Sequence, residues 1–535
     1  MAGWTYGRAQ RGGAIDAVMG ITFWRAAAAR RYIMSTLDTL LHRPRVWSIA
    51  ASDCSGGAGA QADLAMIHAL NVDCVTLISA ITAQNSVGVQ NHYSLPVEQL
   101  EQQWQSSLID GLPSAIKLGW LPPSEEFRTW LLARLSDVAC PIIWDPVKQA
   151  SGDGLPTPDD DLFWRDLLPL ITVITPNLVE ARWLIADEQA SLQHAITALH
   201  AFGVETVCIT GGDDVNDKAV LTYVSHQAET LRSEEPECQV LPQFAIKQTR
   251  FAWQAHGSGC HFSAALAANI ANQQRRYDAI LFAAIYAQAA FQNASYRGSG
   301  YHNCFASNQL PSIDAWPEVI PLSSLMANAV KSSPKVDSLG LYVLCSELSH
   351  LEQLLALGVD AVQWRVKDPT ADFIAQTLTA MQLCRDANTR FIINDYWQLA
   401  IELGADGVHL GQEDCVTADW QAIRNAGLIT GISTHTEWEI AHARGYQPSY
   451  IAFGPVYKPL SKTLRYPPLG CEQIAVWQQR YGSERALTCI GGITGGQVAD
   501  VAATGITSIA IVTALLPGPM QVEQHCAMRQ HYPRP

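Results

Sequence analysis

Short apolar runs alternate with longer amphipathic stretches through the first half of the chain. The runs cover residues 46–51, 74–80, 115–118, 142–144, 173–175 and 206–209. An alternation of strand-length and helix-length segments is typical of a mostly parallel sheet with helices on its faces. The pattern from about residue 46 to residue 309 therefore predicts an α/β domain built on a parallel sheet.

The chain beyond residue 338 holds a second series of apolar runs, each followed by a helix-length segment. The runs begin near Leu341, Ala361, Phe391, Gly407, Leu428, Tyr450, Leu487 and Ser508. Eight strand–helix units are the number that closes a (βα)8 barrel, whereas a flavodoxin-like sheet needs only about five or six strands. We therefore expect a small (βα)8 TIM barrel at this end of the chain.

Two segments lie outside these patterns. Residues 313–338 contain prolines at 317, 321 and 334 with several serines and no periodicity, which is typical of a linker. Residues 1–43 form a leader that we expect to be poorly ordered, with five arginines and one acidic residue among the first 33. A transit peptide is the alternative for this leader, although it would ordinarily contain serine. The predicted domains are therefore residues 44–312 and 339–535.

Composition and charge narrow the range of functions. The chain has 535 residues, with Lys+Arg 35 against Asp+Glu 50 and a net charge of −15 at pH 7. Basic residues that neutralise phosphates supply most of the affinity for nucleic acids, so an acidic chain without a basic stripe is a poor nucleic-acid binder. Small anionic substrates are compatible with this charge, because a few local cations and backbone amides suffice to hold a phosphate.

Cysteine usage and hydropathy bear on the compartment. The 13 cysteines include no C-x-x-C pair, which argues against a zinc ribbon or a disulfide framework and favours a reducing, cytoplasmic location. No run reaches the ~18 consecutive apolar residues that a membrane span needs. We therefore expect no membrane partner.

Four motifs in the first domain combine small and polar residues near strand ends. A glycine-rich turn at 56–59 lets the backbone approach a ligand closely. Residues 256–260 lead into a predicted helix at 263–270, whose amides and dipole favour an anion. Asn177 and Glu180 share a helical face and could organise magnesium-bound water, and residues 210–213 follow another strand. Each motif alone also fits a plain turn or helix cap.

Taken in this order, the motifs resemble those of ribokinase-like kinases and, more closely, of the hydroxymethylpyrimidine/phosphomethylpyrimidine kinases of thiamine synthesis. The matching positions are 52–53, 56–59, 82–85, 117–119, 145–147, 175–177 and 257–260. The resemblance implies a ribokinase-like three-layer α/β/α fold. It also implies phosphoryl transfer from ATP, a reaction that depends mainly on positioning and charge stabilisation.

The same resemblance implies roles for individual residues. Gln84 would hydrogen-bond the aminopyrimidine, and the transferring phosphoryl group would be surrounded by Gly257, Ser258, Gly259 and Cys260. Cys260 stands where related kinases keep an aspartate base, and it is either catalytic or structural. Mg²⁺ and ATP would be held by Asn177, Glu180, Thr210 and Gly212. The position of Thr210 is often lysine in the family, so this chain lacks one cation near the nucleotide phosphates.

The second domain carries polar residues after its predicted strands, at the end of a barrel where enzymes place their chemistry. Asp395 and Asp414 suit a hard cation, and Arg365, Lys367 and Lys462 suit phosphate oxygens. Glycines follow the seventh strand, which is part of the recurrent phosphate site of such barrels. Two anionic groups bound close together indicate a diphosphate leaving group beside a phosphorylated nucleophile.

This set resembles the thiamine phosphate synthases over the whole barrel. The resemblance implies that the pyrimidine diphosphate is held by Gln363, Trp364, Arg365, Val366, Lys367, Asn394, Ser433 and the catalytic Lys462. It implies that Asp395 and Asp414 bind Mg²⁺, and that the thiazole phosphate contacts Pro459, Leu460, Ser461, Gly492, Val512 and Thr513. The implied chemistry is departure of pyrophosphate and capture of a pyrimidine-methyl cation by the thiazole nitrogen, without a covalent enzyme intermediate.

The two domains would make successive metabolites, so we predict a bifunctional enzyme of thiamine biosynthesis. It would phosphorylate hydroxymethylpyrimidine twice with ATP and couple the diphosphate to thiazole phosphate. Two alternatives stay open: a pyridoxal- or sugar-type kinase fused to a phosphate-binding isomerase barrel, and a degenerate pyrimidine-sensing kinase domain on an active synthase. Besides small-molecule substrates, the expected partner is a second copy of the chain in a homodimer.

Overall fold

The computed structural model describes residues 43–148, 155–158, 162–211, 219–227, 241–298, 300–322, 332–458 and 466–534. The strands of the first domain are β1 (Arg45–Asp53), β2 (Asp73–Asn85), β3 (Gly88–Ser94), β4 (Ala115–Leu118), β5 (Ile142–Trp144), β6 (Val173–Ile174), β7 (Thr206–Thr210), β8 (Ala219–His226), β9 (Gln243–Thr249), β10 (Ala255–His256), β11 (His302–Asn303) and β12 (Glu318–Pro321). Its helices are Gly59–Ala69, Val97–Ile109, Glu125–Ser136, Leu178–Leu184, Leu192–Ala201, Ser258–Ala271 and Arg276–Gln292, with 3-10 turns at Leu168–Leu170 and Ile313–Ala315.

Ten of these strands form one sheet, in the order β12-β9-β8-β7-β6-β5-β4-β1-β2-β3. Neighbours from β7 to β2 are parallel, and antiparallel pairs extend the sheet at both ends. Because side chains alternate across a strand, successive residues enter two cores. Val46 belongs to the core that contains residues of Ser258–Ala271 and Arg276–Gln292, whereas Trp47 belongs to the core that contains residues of Val97–Ile109. The predicted three-layer α/β/α domain is confirmed.

The second domain is a closed barrel of parallel strands. Its strands are β13 (Leu341–Cys345), β14 (Ala361–Trp364), β15 (Arg390–Asn394), β16 (Gly407–Leu410), β17 (Ile429–Thr434), β18 (Tyr450–Phe453), β19 (Ala486–Ile490) and β20 (Ser508–Ile511), and β20 pairs back onto β13. Its helices are Leu348–Leu357, Phe373–Asp386, Trp397–Leu403, Gln412–Thr417, Trp420–Asn425, Glu437–Gly445, Gly470–Tyr481, Val498–Ala503 and Gln521–His531. The predicted (βα)8 barrel is confirmed. In the described ranges, no helix combines the length and apolarity needed to cross a bilayer.

The hydrophobic pattern does not predict the antiparallel strands at the edges of the first sheet. In β3, for example, two buried residues are followed by mostly exposed ones. An edge strand with one face in solvent lacks the continuous apolar run that marks a buried parallel strand. The helix after residues 256–257 also begins earlier than predicted, at Ser258.

The segment predicted as a linker at 313–338 is in part a strand of the first domain. Glu318–Pro321 pairs antiparallel with β9 and forms the edge of the ten-stranded sheet, with Val319 fully buried. Four residues are too few to show a period, and Pro321 is tolerated because an edge strand can lack an amide donor. Of the predicted leader at 1–43, all but Arg43 lies outside the described residues.

The edge strand β12 lies against the barrel helix Glu437–Gly445. Gly445 makes this approach possible, since a Cβ there would come within 2.9 Å of the Val319 carbonyl oxygen. Strand β12 is therefore packed between β9 and the barrel helix.

Residues of the first domain also surround the first turn of that barrel helix. Asp278 Oδ1 accepts a hydrogen bond from the Trp438 amide at 2.7 Å. The ring centroids of Phe244 and Tyr277 lie 5.2 and 5.0 Å from that of Trp438. These contacts, together with β12 and helix Glu437–Gly445, form the interdomain seam.

The buried carboxylate of Glu437 connects the helix at the seam to a neighbouring helix of the barrel. Glu437 accepts hydrogen bonds from Trp477 Nε1 at 2.8 Å and from Arg480 and Tyr481. The Arg480 guanidinium in turn lies 4.7 Å from the centre of the Trp316 ring, just ahead of β12. Glu437 thus links two barrel helices to the segment that joins the domains.

Glu437→Ala is expected to destabilise the protein by about 3 kcal/mol, because removal of one partner of a buried ion pair leaves the other charge uncompensated. The measurement is the midpoint of urea unfolding. Glu352→Ala, at an exposed position of helix Leu348–Leu357, is the matched control and should leave the midpoint unchanged. An unchanged midpoint for Glu437→Ala would show that the seam does not depend on this carboxylate.

Candidate active sites

A cavity of about 670 Å³ opens where the parallel strands of the first sheet end. Its lining includes Lys117 on β4, Asp145 directly after β5, Thr175 directly after β6 and Thr210 at the end of β7. Ligands of open α/β sheets bind at the carboxyl ends of the strands, because the loops there are free to carry polar groups. The sequence motifs of the first domain meet at this cavity.

The predicted anion hole borders the cavity. Gly257 precedes the helix Ser258–Ala271 with φ of +82°, a conformation that favours glycine. A Cβ on Gly257 would lie 2.0 Å from the Gly57 carbonyl oxygen, so a side chain cannot fit there. The free amides of the first helical turn, with the helix dipole behind them, form a site suited to a phosphoryl group.

Cys260 is placed in this first turn, but its thiol is a poor base. Desolvation raises the pKa of Cys260 to about 12, and the nearby Lys117 charge only partly opposes the rise. The thiol is therefore neutral at physiological pH, when a thiolate would be needed for proton abstraction. The environment of Cys260 therefore favours a neutral hydrogen-bonding thiol over a thiolate base.

Beneath the hole lies a buried group of charges to which the motifs assigned no role. Lys117 Nζ lies 2.9 Å from Asp63 Oδ1 and 4.0 Å from Asp145 Oδ2. Asp63 also accepts a hydrogen bond from Ser48 at 2.6 Å, and Asp145 accepts one from Ser263 at 3.3 Å. In the sequence, this group is indicated only by charged residues at the ends of two short apolar runs, Lys117 and Asp145.

The charges of this group shift one another's pKa values in opposite directions. Burial alone would lower the pKa of Lys117, but the charge of Asp63 raises it, so the ammonium stays protonated. Burial raises the pKa of Asp145, against the lowering effect of Lys117. Asp145 also hydrogen-bonds Cys260, and its raised pKa makes its carboxylate form a stronger proton acceptor than an ordinary aspartate.

The amides of the glycine-rich turn at 56–59 are largely used in hydrogen bonds within the turn. Asp53 accepts hydrogen bonds from the amides of Ser55, Gly57 and Ala58 at 2.8, 3.0 and 2.8 Å. Those amides are therefore not available to a phosphate. The turn contributes to the site mainly by its close approach to Gly257.

Asn177 and Glu180 both line the cavity, yet their side chains form a capping box. Glu180 donates its amide to Asn177 Oδ1 at 2.8 Å, and Asn177 donates its amide to Glu180 Oε2 at 2.9 Å. Such a pair stabilises the start of helix Leu178–Leu184. Thr210 lines the same cavity, whereas Gly212 lies outside the described residues, and the binding of Mg²⁺ and ATP by these residues stays a prediction.

Two further residues of the cavity bear on ligands. Gln84, predicted to bind the pyrimidine, lines the cavity and accepts a hydrogen bond from Thr82 Oγ1 at 3.3 Å. Arg250, which the motifs did not single out, lines the same cavity and donates to the Gly211 carbonyl at 3.4 Å. The described lining residues include two basic side chains, Lys117 and Arg250. Lys117 forms an ion pair with Asp63. Arg250 sits in a loop without a recognisable motif, so the sequence offered no signal for it.

In the barrel, the predicted metal ligands follow adjacent strands. Asp395 comes directly after β15 with φ of +66°, and its amide donates to the His409 carbonyl at 2.9 Å. Although Asp395 retains solvent contact, partial desolvation and the negative charge of Asp414 raise the pKa of Asp395 to about 6. Two carboxylates that repel each other in this way are a donor set that fits Mg²⁺, which prefers such oxygen ligands.

A chain of hydrogen bonds crosses the barrel interior and ends at Ser433. Gln363 donates to the Tyr342 hydroxyl at 2.8 Å, and the hydroxyls of Tyr342 and Tyr450 are 2.9 Å apart. His409 contacts the Tyr450 hydroxyl at 2.9 Å and Ser433 Oγ at 2.8 Å. Burial lowers the pKa of His409 to about 3, so its imidazole is neutral and can relay between the two hydroxyls. The two tyrosines were missed because they read as ordinary core residues.

The residues predicted after β14 do not all face the site. Trp364 is buried and its Nε1 donates to Thr377 in the surrounding helix layer at 3.2 Å, so its side chain cannot contact a substrate in the barrel. Strand alternation explains this, because Gln363 points inward and its neighbour outward. The strand ends at Trp364, so this alternation does not continue beyond it: Arg365 and Val366 are half-buried and Lys367 is exposed.

The remaining predicted residues are found at the same end of the barrel or lie outside the described ranges. Asn394 ends β15, buried, and hydrogen-bonds Asp395. Gly492 follows β19 with φ of +70°, and Val512 and Thr513 follow β20, exposed. Pro459, Leu460, Ser461 and Lys462 lie outside the described residues.

Comparison with known proteins identifies a family match for each domain. The family model described as phosphomethylpyrimidine kinase matches residues 53–304, and the one described as thiamine monophosphate synthase matches residues 342–515. The chain is 27% identical over 532 residues to the chloroplastic thiamine biosynthetic bifunctional enzyme of Arabidopsis thaliana, covering 95% of each protein.

Two further proteins each match one domain. The thiamine-phosphate synthase of Photorhabdus laumondii is 43% identical over 184 residues, which are 34% of this chain and 85% of that protein. Among solved structures, the pyridoxal kinase of Staphylococcus aureus in complex with pyridoxal is 26% identical, with a TM-score of 0.43. That match covers 49% of this chain and 93% of the kinase.

The thiol chemistry of the first domain can be tested by alkylation. At pH 7.5 we expect iodoacetamide to label the exposed Cys54 and Cys526 well before Cys260, because the thiolate is the reactive form and desolvation suppresses it at Cys260. Mass spectrometry of digested samples gives the order of labelling. Labelling of Cys260 as fast as Cys54 would contradict a neutral thiol.

Proposed function

This chain belongs to the thiamine-phosphate synthase family through its barrel, and we propose that its two domains carry out successive steps in the formation of thiamine phosphate. The first domain, a match to the phosphomethylpyrimidine kinase family, would transfer phosphoryl groups from ATP to hydroxymethylpyrimidine and then to its monophosphate. The second would join the diphosphate to thiazole phosphate. One chain would thus supply the barrel with its own substrate.

The observation that carries the kinase step is the glycine-bordered anion hole beside a carboxylate in one cavity. The substrate oxygen attacks the γ-phosphorus, the bond from that phosphorus to the ADP oxygen breaks, and Asp145 takes the hydroxyl proton. The amides of residues 258–260 stabilise the charge that develops on the transferring group. Gln84 would orient the aminopyrimidine by hydrogen bonds, and Arg250 would hold the nucleotide phosphates.

The observation that carries the synthase step is the Asp395–Asp414 pair at the open end of the barrel. The bond between the pyrimidine methylene carbon and the diphosphate oxygen breaks, and a bond from that carbon to the thiazole nitrogen forms. Ser433 and Asn394 would orient the diphosphate substrate, and Arg365 would neutralise charge on the leaving group. When bound by Asp395 and Asp414, Mg²⁺ would supply further charge neutralisation of pyrophosphate.

Family membership of the barrel argues against the isomerase alternative. For the first domain, the alternative of a pyridoxal kinase is tested by supplying ATP with either pyridoxal or hydroxymethylpyrimidine and comparing which of the two is phosphorylated. A homodimer and a cytoplasmic location remain predictions, and the Arabidopsis relative is named as chloroplastic.

Supply of hydroxymethylpyrimidine, Mg·ATP and thiazole phosphate should yield thiamine phosphate, detected by mass spectrometry. Asp395→Asn should lower its formation about 100-fold or more, because a neutral amide binds Mg²⁺ more weakly and the charge on the leaving pyrophosphate would then be less well neutralised, and the pyrimidine diphosphate should accumulate. Asp386→Asn, at an exposed position on helix Phe373–Asp386, is the control. Unchanged formation in Asp395→Asn would contradict the metal assignment.

Arg250→Ala should raise the KM for ATP about tenfold, the cost expected for one charge-assisted hydrogen bond. Thr210→Lys in the same chain should restore much of the affinity, because position 210 lines the same cavity. The control is Arg165→Ala, since Arg165 is exposed and stacks on Phe202. A KM for ATP that stays at the wild-type value in Arg250→Ala would remove this arginine from the nucleotide site.

A further inference from the structure

We propose that Arg275 and Asp278, which belong to the first domain, are positioning residues for barrel residues 433–436, the end of β17 and the loop after it, which include the predicted substrate residue Ser433. Both residues lie at the start of helix Arg276–Gln292, and both reach across the interdomain seam. The proposal rests on the synthase activity proposed above. It assigns the first domain a role in the second reaction that is separate from its own chemistry.

Asp278 acts as an additional cap for a barrel helix. Helix Glu437–Gly445 is capped within the barrel by Thr436, which accepts the amide of Glu439 at 3.2 Å. Asp278 Oδ1 accepts a hydrogen bond from the Trp438 amide at 2.7 Å, so a second amide of the first helical turn is also capped. A carboxylate at this end also interacts favourably with the helix dipole. The first domain therefore helps to fix where this helix begins, directly after the loop that follows Ser433.

A continuous set of contacts leads from this cap to the loop itself. The Trp438 and His442 rings are stacked with centroids 5.2 Å apart, and His442 Nδ1 donates to Gln412 Oε1 at 2.8 Å. Gln412 Nε2 then donates to the Ser433 carbonyl at 2.7 Å. Gln412 also begins the helix Gln412–Thr417 that carries Asp414. Displacement of Trp438 would thus affect both a predicted substrate residue and a predicted metal ligand.

Arg275 holds the other side of the same loop. Its guanidinium lies 4.8 Å from the centre of the Tyr466 ring, which stacks on His435 at 4.2 Å with an interplanar angle of 6°. The Tyr466 hydroxyl donates to Glu439 Oε1 at 2.7 Å, and Glu439 Oε2 lies 2.8 Å from His435 Nδ1. Glu439 also accepts the His435 amide at 2.6 Å. The loop is thereby fixed between its own helix and a cation from the first domain.

The test uses the full chain, supplied with ready-made pyrimidine diphosphate and thiazole phosphate so that the kinase step is bypassed. The double variant Arg275→Ala/Asp278→Ala should raise the KM for the diphosphate about tenfold, because small displacements of binding groups cost large factors. Release of ADP from hydroxymethylpyrimidine and ATP should stay at the wild-type rate. Amide hydrogen exchange of residues 433–436 should become faster.

Two variants separate positioning from general damage. Asp278→Asn keeps an acceptor oxygen for the Trp438 amide, so its KM should stay close to the wild-type value. Arg276→Ala changes the adjacent residue, whose guanidinium lies 3.0 Å from Glu205 inside the first domain, and should leave the barrel reaction unchanged.

An unchanged KM and unchanged exchange at 433–436 in the double variant would overturn the proposal. So would a loss of kcat in proportion to the unfolded fraction with KM constant, or the same change of KM in Arg276→Ala. If the wild-type chain itself forms no thiamine phosphate from the diphosphate, the proposed function fails. The exchange measurement still decides the positioning role in that case, because it does not depend on activity.

Discussion

The arrangement of the two domains depends on the pairing of β12 with β9. This short strand places residues 318–321 in the first sheet and covers an edge of β9 that would otherwise present unpaired main-chain groups. Helix Glu437–Gly445 then packs over β12, and Val319 is buried between them. Strand β12 thus contacts β9 of the first domain and a helix of the barrel, and these contacts fix the position of the barrel relative to the first domain. Side chains of one domain can therefore contact defined positions of the other.

The seam lies at the end of the first domain opposite its cavity. Helix Ser258–Ala271 begins at the anion hole and is 14 residues long, about 21 Å at 1.5 Å per residue, and the next helix carries the seam residues at its start. Strand β9 shows the same polarity, since Phe244 contacts Trp438 and Thr249 lines the cavity. On the barrel the seam adjoins Ser433. The geometry therefore favours a mechanical link between the domains over direct transfer of the diphosphate across the seam.

Strong local patterns made most of the architecture predictable. Each barrel strand begins within one residue of its predicted start, because buried parallel strands are continuous apolar runs between turn signals. Glu318–Pro321 was not predictable, since its stability comes from β9 and a barrel helix distant in sequence. The same holds in the sites: glycines and paired carboxylates carry a motif, whereas Arg250 and Tyr450 acquire their roles only through residues that the fold brings beside them.

The chain carries a net charge of −15, so each site must offset acidic surroundings before it can bind a phosphate. In the first domain, Lys117 neutralises Asp63, and Arg250 and the first turn of helix Ser258–Ala271 line the cavity that would receive the phosphates. In the barrel, the pKa of about 6 for Asp395 records the repulsion from Asp414 together with partial burial. A divalent cation held by both carboxylates would relieve that repulsion and cancel their two negative charges. The two carboxylates, which alone would repel a diphosphate, would then help to bind it through the cation that they share.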